Sequence, residues 1–246
     1  MAKQVYETFS CDRVTNAMLT EAAKLFNENY GTWGVHADRP GRPVKLSARR
    51  LREQYLPDAT ASSYTRVTVD GNLAGHAFAC RWECDGKNLC WVTQLVVHKD
   101  YRERGLATIL LRSLRTDVDD IYGIMSSHPA ACLAAAKSFG RHIEKIPLGF
   151  ISTDSDAIMK ASPIPYIKDA KLCGTLFKPE DTIGLVSGVN TSFFIDHEAP
   201  LEALRSIRET YQWPLGDLPD GHEYLLVLER KHPRSKSVVP NHFANT

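Results

Sequence analysis

The chain has 246 residues, 43% hydrophobic and 24% charged, which is enough apolar content for one sizeable folded core. A formal net charge of +1 argues against a nucleic-acid-binding protein, and no apolar run approaches the ~18 residues that a membrane span needs. Six cysteines lack metal-ligand spacing, and the N-terminus lacks the apolar core of a signal peptide. These features predict a cytoplasmic protein with free thiols and no metal site.

The first sixty residues predict one strand and two helices. Residues 5–9 fit a short strand, and a helix that Thr15 or Asn16 can cap continues to about residue 29. The stretch 31–46 is rich in Gly and Pro and predicts a loop. Ser47 can cap a second helix that continues to about residue 55.

Three consecutive strands are predicted next. Residues 64–70 are rich in β-branched side chains, and residues 73–83 follow after a short turn. Asp85-Gly86 is typical of a tight hairpin turn, and residues 89–97 return as a nearly continuous apolar strand. Such a run is typical of the middle of a sheet.

Helical and extended patterns then alternate. From Leu106 to Val118 the apolar residues recur at helical spacing, and residues 122–126 fit a short strand. A helix over residues 130–139 follows, with Gly140 as the residue that ends it.

The last hundred residues have a weaker pattern. Residues 151–190 predict an ordered insertion with little regular structure. Residues 191–196 (TSFFID) predict a strand, 200–211 a helix and 223–229 a final strand. Residues 232–246 predict a flexible tail.

The most informative segment is the strand, turn and helix that begins at Gln94. The apolar strand enters a short basic turn, Arg102 to Ala107, and a helix follows at once. Main-chain N–H groups at such a turn are unpaired, and the helix dipole adds partial positive charge, which predicts a phosphate-binding site. Gly105 and Ala107 are small enough for an anion to approach the main chain closely.

This turn resembles the acetyl-CoA signature of the GNAT acyltransferase superfamily, usually written [Gln/Arg]-x-x-Gly-x-[Gly/Ala]. The resemblance implies an α/β (α+β) fold, with a mixed, mostly antiparallel sheet flanked by helices and here an insertion before the last two strands. It predicts a single domain over residues 1–231. Within it, 64–140 form the core motif, about 151–190 the insertion, and 191–230 a closing strand, helix and strand.

The resemblance also implies acetyl-CoA as the cofactor. The strand that leads into the turn would bulge and splay from its neighbour, and the pantetheine arm would pair with main-chain groups there. The implied cofactor-binding residues are Leu95, Val96, Val97, Arg102, Glu103, Arg104, Gly105, Leu106, Ala107, Thr108, Ser127 and Lys137.

Direct attack of an amine on the thioester is the implied reaction, with a main-chain N–H of Val97 or Leu95 polarising the carbonyl oxygen. The sequence departs from the family pattern at the general acid. Many relatives place a tyrosine where this chain has Ala135 or Ala136, and neither side chain donates a proton. Ser126, Ser127, His128 and Cys132 are the nearby candidates to replace the tyrosine, and Cys132 is the closest along the helix; the alternative for Cys132 is that it is a small core residue.

The general base is equally open. Positions where some relatives carry His or Glu hold Thr93 and Trp91 here. Asp196 and His197 are the candidates, because imidazole has a suitable pKa and the carboxylate can bind a cationic amine. The alternatives are that these two residues cap the following helix, or that a water chain carries the proton.

The acceptor pocket is predicted around Trp33 and His36 in the first loop, with Thr93 on the central strand and residues 166–169 as a further wall. The implied function is acetyl-CoA-dependent N-acetylation of a primary amine on a small or medium-sized molecule. A protein or peptide N-acetyltransferase and a non-catalytic acyl-CoA-binding module are the alternatives. The expected partner is the amine, without nucleic acid or membrane, and the chain is expected to be a monomer or homodimer.

Overall fold

A mixed sheet organises the structure, a computed structural model that describes residues 2–57 and 61–230. Its strands are β1 (Gln4–Ser10), β2 (Ser62–Val69), β3 (Asn72–Cys84), β4 (Lys87–Val97), β5 (Ile121–Ser126), β6 (Lys171–Cys173), β7 (Gly188–Asn190) and β8 (His222–Glu229). They form one sheet in the order β1-β2-β3-β4-β5-β8-β7-β6. Neighbours are antiparallel except β4 and β5, which run parallel. The mostly antiparallel sheet confirms the predicted fold class.

The α-helices are α1 (Asn16–Asn29), α2 (Ala48–Tyr55), α3 (Leu106–Leu114), α4 (Pro129–Ser138), α5 (Leu148–Lys160), α6 (Pro165–Lys168) and α7 (Glu198–Thr210). Thr15 caps α1 by accepting the N–H of Met18 at 3.3 Å, and Ser47 caps α2 by accepting that of Arg50 at 3.2 Å. Both caps were predicted from the sequence. No helix in the described ranges is both long and apolar enough to cross a membrane.

Neighbouring residues of β3 show which helices cover which face of the sheet. Arg81 donates to the carbonyl of Leu114 at the end of α3, whereas the indole of Trp82 donates to the carbonyl of Ile158 in α5 at 3.1 Å. Successive side chains of a strand point to opposite faces, so α3 and α5 lie on opposite sides of the sheet. Phe78 shares the Trp82 face and packs in one cluster with residues of α1 and α2. Helix α4 packs beside α3, and α7 packs beside α4.

Trp91 and Gly123 are paired where β4 and β5 run side by side. A Cβ added at Gly123 would lie 2.1 Å from the Trp91 ring, so the indole needs a glycine at this position. Trp91 is 1% exposed, and it also contacts Trp82 with ring centroids 5.6 Å apart. The centre of the sheet is therefore tightly packed up to the point where the two strands separate.

The prediction for residues 151–190 was wrong about regular structure. The segment contains most of α5, all of α6, and strands β6 and β7, which extend the sheet beyond β8. Helix α5 buries Ile151 and Ile158, but the inward position between them is Ser155, which is 0% exposed. This polar residue weakens the apolar periodicity that sequence analysis depends on.

Residues 191–196 were predicted as a strand, but the sheet strand is β7, which ends at Asn190. The Asn190 side-chain oxygen accepts the N–H of Ser192 at 3.0 Å, and Ser192 has φ 54, so the chain turns out of the sheet. Ile195 then bridges to Trp33 in the loop after α1. This β-rich segment finds its main-chain partners in a loop instead of in the sheet.

Helix α3 is shorter than predicted and ends at Leu114. The buried Asp119 carboxylate accepts the N–H of Thr116 at 2.7 Å and pairs with Arg81 at 2.8 Å, which holds the chain in a turn. Val118 is consequently 64% exposed and takes no part in a helix face. The predicted tail, residues 232–246, lies outside the described residues.

Candidate active site

The site begins where β4 and β5 separate. The two strands pair from Leu89 and Ile121 to Val92 and Ile124. On the other side of β4 the register with β3 shifts at this level, so Thr93 is an extra residue that makes a bulge. Beyond it, within the described chain, no strand lies on the β5 side of residues 93–97. The sequence-based expectation of a splayed strand matches this geometry.

The turn after β4 presents a row of main-chain amides. Glu103 has φ 62 and Gly105 has φ 78, and both lie just before α3. In the part of the chain that the structure describes, the N–H groups of residues 103–108 have no hydrogen-bond acceptor. Unpaired amides at a helix N-terminus form an anion-binding site, so these residues fit a diphosphate group. An added Cβ at Gly105 meets no atom within 4 Å, which leaves the approach to these amides open.

The two arginines of the turn are engaged with the protein itself. Arg102 donates through Nη2 to the carbonyl of Asn29 at 2.6 Å and through Nε to that of Val97 at 3.4 Å. The guanidinium of Arg104 lies 5.2 Å from the centre of the Tyr101 ring. The side chain of Arg102 therefore braces the turn against α1, and a contribution of this residue to cofactor binding would come from its main chain.

A cavity of about 360 Å³ adjoins the separated strands on the side of α1 and α2. Its floor is formed by residues 91–95 of β4 and the end of β5, and its roof by α1, α2 and the loop between them. Aromatic side chains dominate the walls: Phe26, Tyr30, Trp33, Tyr55, Trp91, Tyr166 and Phe193. The size and composition suit a small, largely apolar ligand with few polar contacts.

Glu223, the second residue of β8, is the single acidic residue among the described residues that line this cavity. Burial raises the pKa of its carboxyl to about 7, and the neighbouring Thr191 hydroxyl lowers it by less. The hydroxyls of Tyr30, Tyr55 and Tyr166 face the same space. Phenols are protonated at neutral pH, and desolvation together with the Glu223 charge raises the pKa of Tyr30 and Tyr55 further.

Tyr166 reaches the bulge of β4 from α6. Its hydroxyl donates to the carbonyl of Thr93 at 3.1 Å. The Thr93 hydroxyl is buried, and no hydrogen-bond partner for it is present among the described residues. A buried polar atom without a partner is costly, which makes it a natural contact for a polar ligand atom. The Tyr166 hydroxyl and the Thr93 hydroxyl therefore both lie near the bulge, where β4 separates from β5.

Of the predicted catalytic residues, none lines the cavity. Cys132 is 0% exposed in the core, where burial raises the pKa of its thiol, so it is the core residue of the alternative interpretation. Asp196 accepts the N–H of Glu198 at 3.0 Å at the start of α7. His197 lies beside it, and burial lowers its pKa. Asp196 and His197 follow the turn at Ser192 and do not line the cavity, so their catalytic role stays a prediction.

The predicted acceptor residues divide between two places. Trp33 and Thr93 line the cavity, and Trp33 packs edge-on against Phe193 with ring centroids 5.2 Å apart. His36 does not line it, because its exposed side chain pairs with Asp220. The prediction of His36 as a pocket residue is therefore corrected.

Two predicted cofactor residues lie on the β5 and α4 side of the gap. Ser127 follows β5 directly and is 5% exposed, and Lys137 is exposed in the last turn of α4. Next to Ser127, burial and then the Arg102 charge lower the pKa of His128 to about 4. Because the Arg102 charge acts on His128, the loops after β4 and β5 face each other across the gap.

Glu223 was missed by sequence analysis. It opens the predicted last strand, and an acidic residue at a strand end is ordinary in a sequence. Tyr30 and Tyr55 were also missed, since each sits at the end of a predicted helix with nothing to distinguish it from a core or surface aromatic. Of the acidic and tyrosine residues of the cavity, only Tyr166 could be anticipated, because residues 166–169 were predicted to form part of a long loop near the acceptor pocket.

Comparisons with known proteins point to one family. The model of the acetyltransferase (GNAT) family matches residues 21–139. No curated protein matches the sequence.

Solved structures match part of the chain. A GCN5-related glucosamine N-acetyltransferase region of a fungal multi-domain β-N-acetylglucosaminidase is 16% identical with a TM-score of 0.39, covering 50% of this chain and 14% of that one. An aminoglycoside acetyltransferase from an uncultured soil metagenomic sample is 11% identical with a TM-score of 0.33, covering 45% and 66%. A GNAT-family acetyltransferase from Streptococcus pneumoniae is 12% identical with a TM-score of 0.38, covering 54% and 80%.

Proposed function

We propose that this protein transfers an acetyl group from acetyl-CoA to the primary amine of a small molecule, because residues 21–139 match the model of the acetyltransferase (GNAT) family. The observation that carries the proposal is the position of Glu223. Its partly exposed carboxyl lines a partly open aromatic cavity that adjoins the bulge of β4. A proton acceptor is thus placed beside the gap between β4 and β5, where the fold offers main-chain groups to a ligand.

Acetyl-CoA, when bound, supplies an activated acetyl thioester. In the proposal, the unpaired amides of residues 103–108 hold its diphosphate, and the free edge of β4 at Leu95, Val96 and Val97 pairs with its pantetheine arm. Ser127 and Lys137 line the other side of this path. A main-chain N–H of Leu95 or Val97 polarises the thioester oxygen, and one such donor is worth about 2.7–4 kcal/mol at the barrier.

Glu223 is the proposed general base. A carboxyl with a pKa of about 7 is a stronger base than an ordinary carboxylate, and its pKa lies closer to that of an alkylamine, near ~10.4. Its charge also attracts the ammonium form of the substrate into an otherwise apolar cavity. The same group therefore binds the amine and accepts the proton that the amine must lose.

Tyr166 is the proposed proton donor to the departing thiolate. Helix α4 offers Ala135 and Ala136 where many relatives carry a tyrosine, and both alanines are buried. The Tyr166 hydroxyl instead comes from α6 and is held by the Thr93 carbonyl at 3.1 Å. A phenol is protonated at neutral pH, so this O–H can turn from the Thr93 carbonyl and donate its proton to the departing thiolate.

The cavity volume of about 360 Å³ favours a small amine over a peptide or protein acceptor, which would need a longer groove. The test is to incubate the protein with acetyl-CoA and a panel of small amines and to follow the release of free CoA thiol. We expect release with at least one amine. Tight acetyl-CoA binding without release on any amine would instead identify a non-catalytic acyl-CoA-binding module, and acetylation of peptides alone would identify a peptide acetyltransferase.

A further inference from the structure

The cavity carries charges of both signs. Glu223 lines the cavity from β8, and the exposed Lys45 and Arg50 line it before and within the first turn of α2. Helix α2 packs on β3, and β4 and β5 separate β3 from β8 in the sheet, so the acidic and basic groups lie toward different ends of the cavity. Neither cation has an ion-pair partner among the described residues. The neighbouring arginines do have partners within the protein: Arg49 pairs with Glu53 at 3.3 Å, and Arg52 donates to the carbonyl of Val14 at 2.7 Å.

The space between the charged groups is apolar. Phe193 lies between Tyr30 and Trp33, with ring centroids 6.2 Å and 5.2 Å away. Val44 and Leu46 flank Lys45 on the same wall. A ligand that fills the cavity therefore meets a carboxylate at one end, aromatic and aliphatic side chains along its body, and two cationic groups at the other end.

On the premise of the proposed function, we propose that the acceptor is an amino carboxylate: a primary amine joined through an apolar body to a carboxylate. The amine lies against Glu223, and the carboxylate lies against Lys45 and Arg50. Cationic side chains bind carboxylates by charge-assisted hydrogen bonds, and arginine does so with two parallel donors.

The same charges disfavour other amines. A polyamine would place a second ammonium group beside Lys45 and Arg50, where like charges repel. A cavity of about 360 Å³ is at the small end of ligand-binding cavities, which suits a body of a few carbons or one ring. The inference thus selects one substrate class from the many primary amines that the proposed function allows.

The test compares amines that differ only in the carboxylate. 4-(Aminomethyl)benzoate is paired with benzylamine, and 6-aminohexanoate with hexylamine, so that a ring and a chain are both sampled as the apolar body between the two charges. We expect kcat/KM for the amino carboxylate to exceed that for the plain amine at least tenfold in one pair, as a charge-assisted contact implies. In a Lys45→Gln, Arg50→Gln double variant we expect this preference to disappear.

Arg49→Gln is the matched control, since this neighbour on α2 does not line the cavity, and it should leave the preference unchanged. Equal or faster reaction of the plain amines in both pairs would overturn the inference and leave the proposed function standing. A preference that survives in the double variant would do the same. No CoA release with any amine would remove the proposed function and this inference with it.

Discussion

Arg102 joins the turn after β4 to the end of α1: its Nη2 donates to the carbonyl of Asn29 at 2.6 Å. The side chain of Asn29 returns the contact by accepting the N–H of Lys99 at 3.0 Å. Phe26 of α1 and Tyr30, the residue that caps its C-terminus, lie on the cavity wall. The proposed diphosphate site and the proposed amine pocket are therefore braced against each other by one pair of residues.

Replacing Arg102 should loosen this brace. We expect Arg102→Gln to lower the free energy of unfolding by about 1 kcal/mol, because the contact is charge-assisted but partly exposed to solvent. Urea denaturation measures this difference. Arg104→Gln is the control, because its guanidinium only covers the Tyr101 ring, and it should change stability by less than about 0.5 kcal/mol. If both substitutions lowered the free energy of unfolding equally, the stabilising role of the contact between Arg102 and Asn29 would be contradicted.

A negative charge on the amide turn should abolish cofactor binding. Gly105→Asp places a carboxylate beside the amides of residues 103–108, so we expect the Kd for acetyl-CoA to rise at least tenfold. Gly86→Asp is matched, since Gly86 has φ 73 against φ 78 for Gly105 and each has open space around it. Calorimetry measures both affinities. Retained binding in the Gly105 variant would exclude this turn as the diphosphate site.

Loss of the Glu223 carboxylate should slow transfer at neutral pH. We expect Glu223→Gln to reduce kcat by about 10²–10⁴-fold, the usual contribution of a general base. In the unaltered protein, kcat/KM should rise with pH up to about 7, the pKa of this carboxyl, and then level off. Glu229→Gln, at the other end of β8 and exposed, is the control. A variant at position 223 with the original pH profile would remove Glu223 from the mechanism.

The same carboxyl should make the protein less stable as pH rises. Its pKa is 4.5 when unfolded and about 7 when folded, so between these values the unfolded chain loses its proton first. Stability from this group is full below about pH 4.5, falls as pH rises to about 7, and is constant above. Relative to the unaltered protein, Glu223→Gln should gain up to about 3 kcal/mol at pH 8 and little at pH 4. Thermal unfolding at the two pH values measures this, and a constant difference would contradict the raised pKa.

Removing the Tyr166 hydroxyl should affect kcat more than KM. We expect Tyr166→Phe to lower kcat about tenfold, because a thiolate with a pKa near ~8.5 leaves tolerably well without an acid. Loss of the hydrogen bond to Thr93 should cost about 1 kcal/mol of stability. Tyr6→Phe is the control, since its hydroxyl contacts only Gln4 on the far strand β1. A rise in KM with unchanged kcat would assign Tyr166 to substrate binding alone.

Structural features that depend on residues close together in the sequence could be predicted. Thr15 and Ser47 cap their helices through amides three residues away, and Asp85-Gly86 makes its hairpin with two residues of positive φ. The predictions that were wrong concern features that depend on contacts between residues distant in the sequence. Residues 191–196 have strand composition, yet Asn190 turns them out of the sheet to pair with a loop. The apolar periodicity of helix α5 is not visible in the sequence, because Ser155, one of the positions buried against the sheet, is polar.

The amide turn could be predicted from the sequence alone, because Gly105 and the residues around it set their own backbone conformation and the helix that follows sets the direction of the N–H groups. The chemistry opposite the turn depends on residues that lie far apart in the sequence. Glu223 comes from the last strand, Tyr166 from a segment between β5 and β8, and Tyr30 from the first helix. A carboxyl acquires a pKa of about 7 only when distant segments exclude water from it, and no pattern of neighbouring residues records that exclusion.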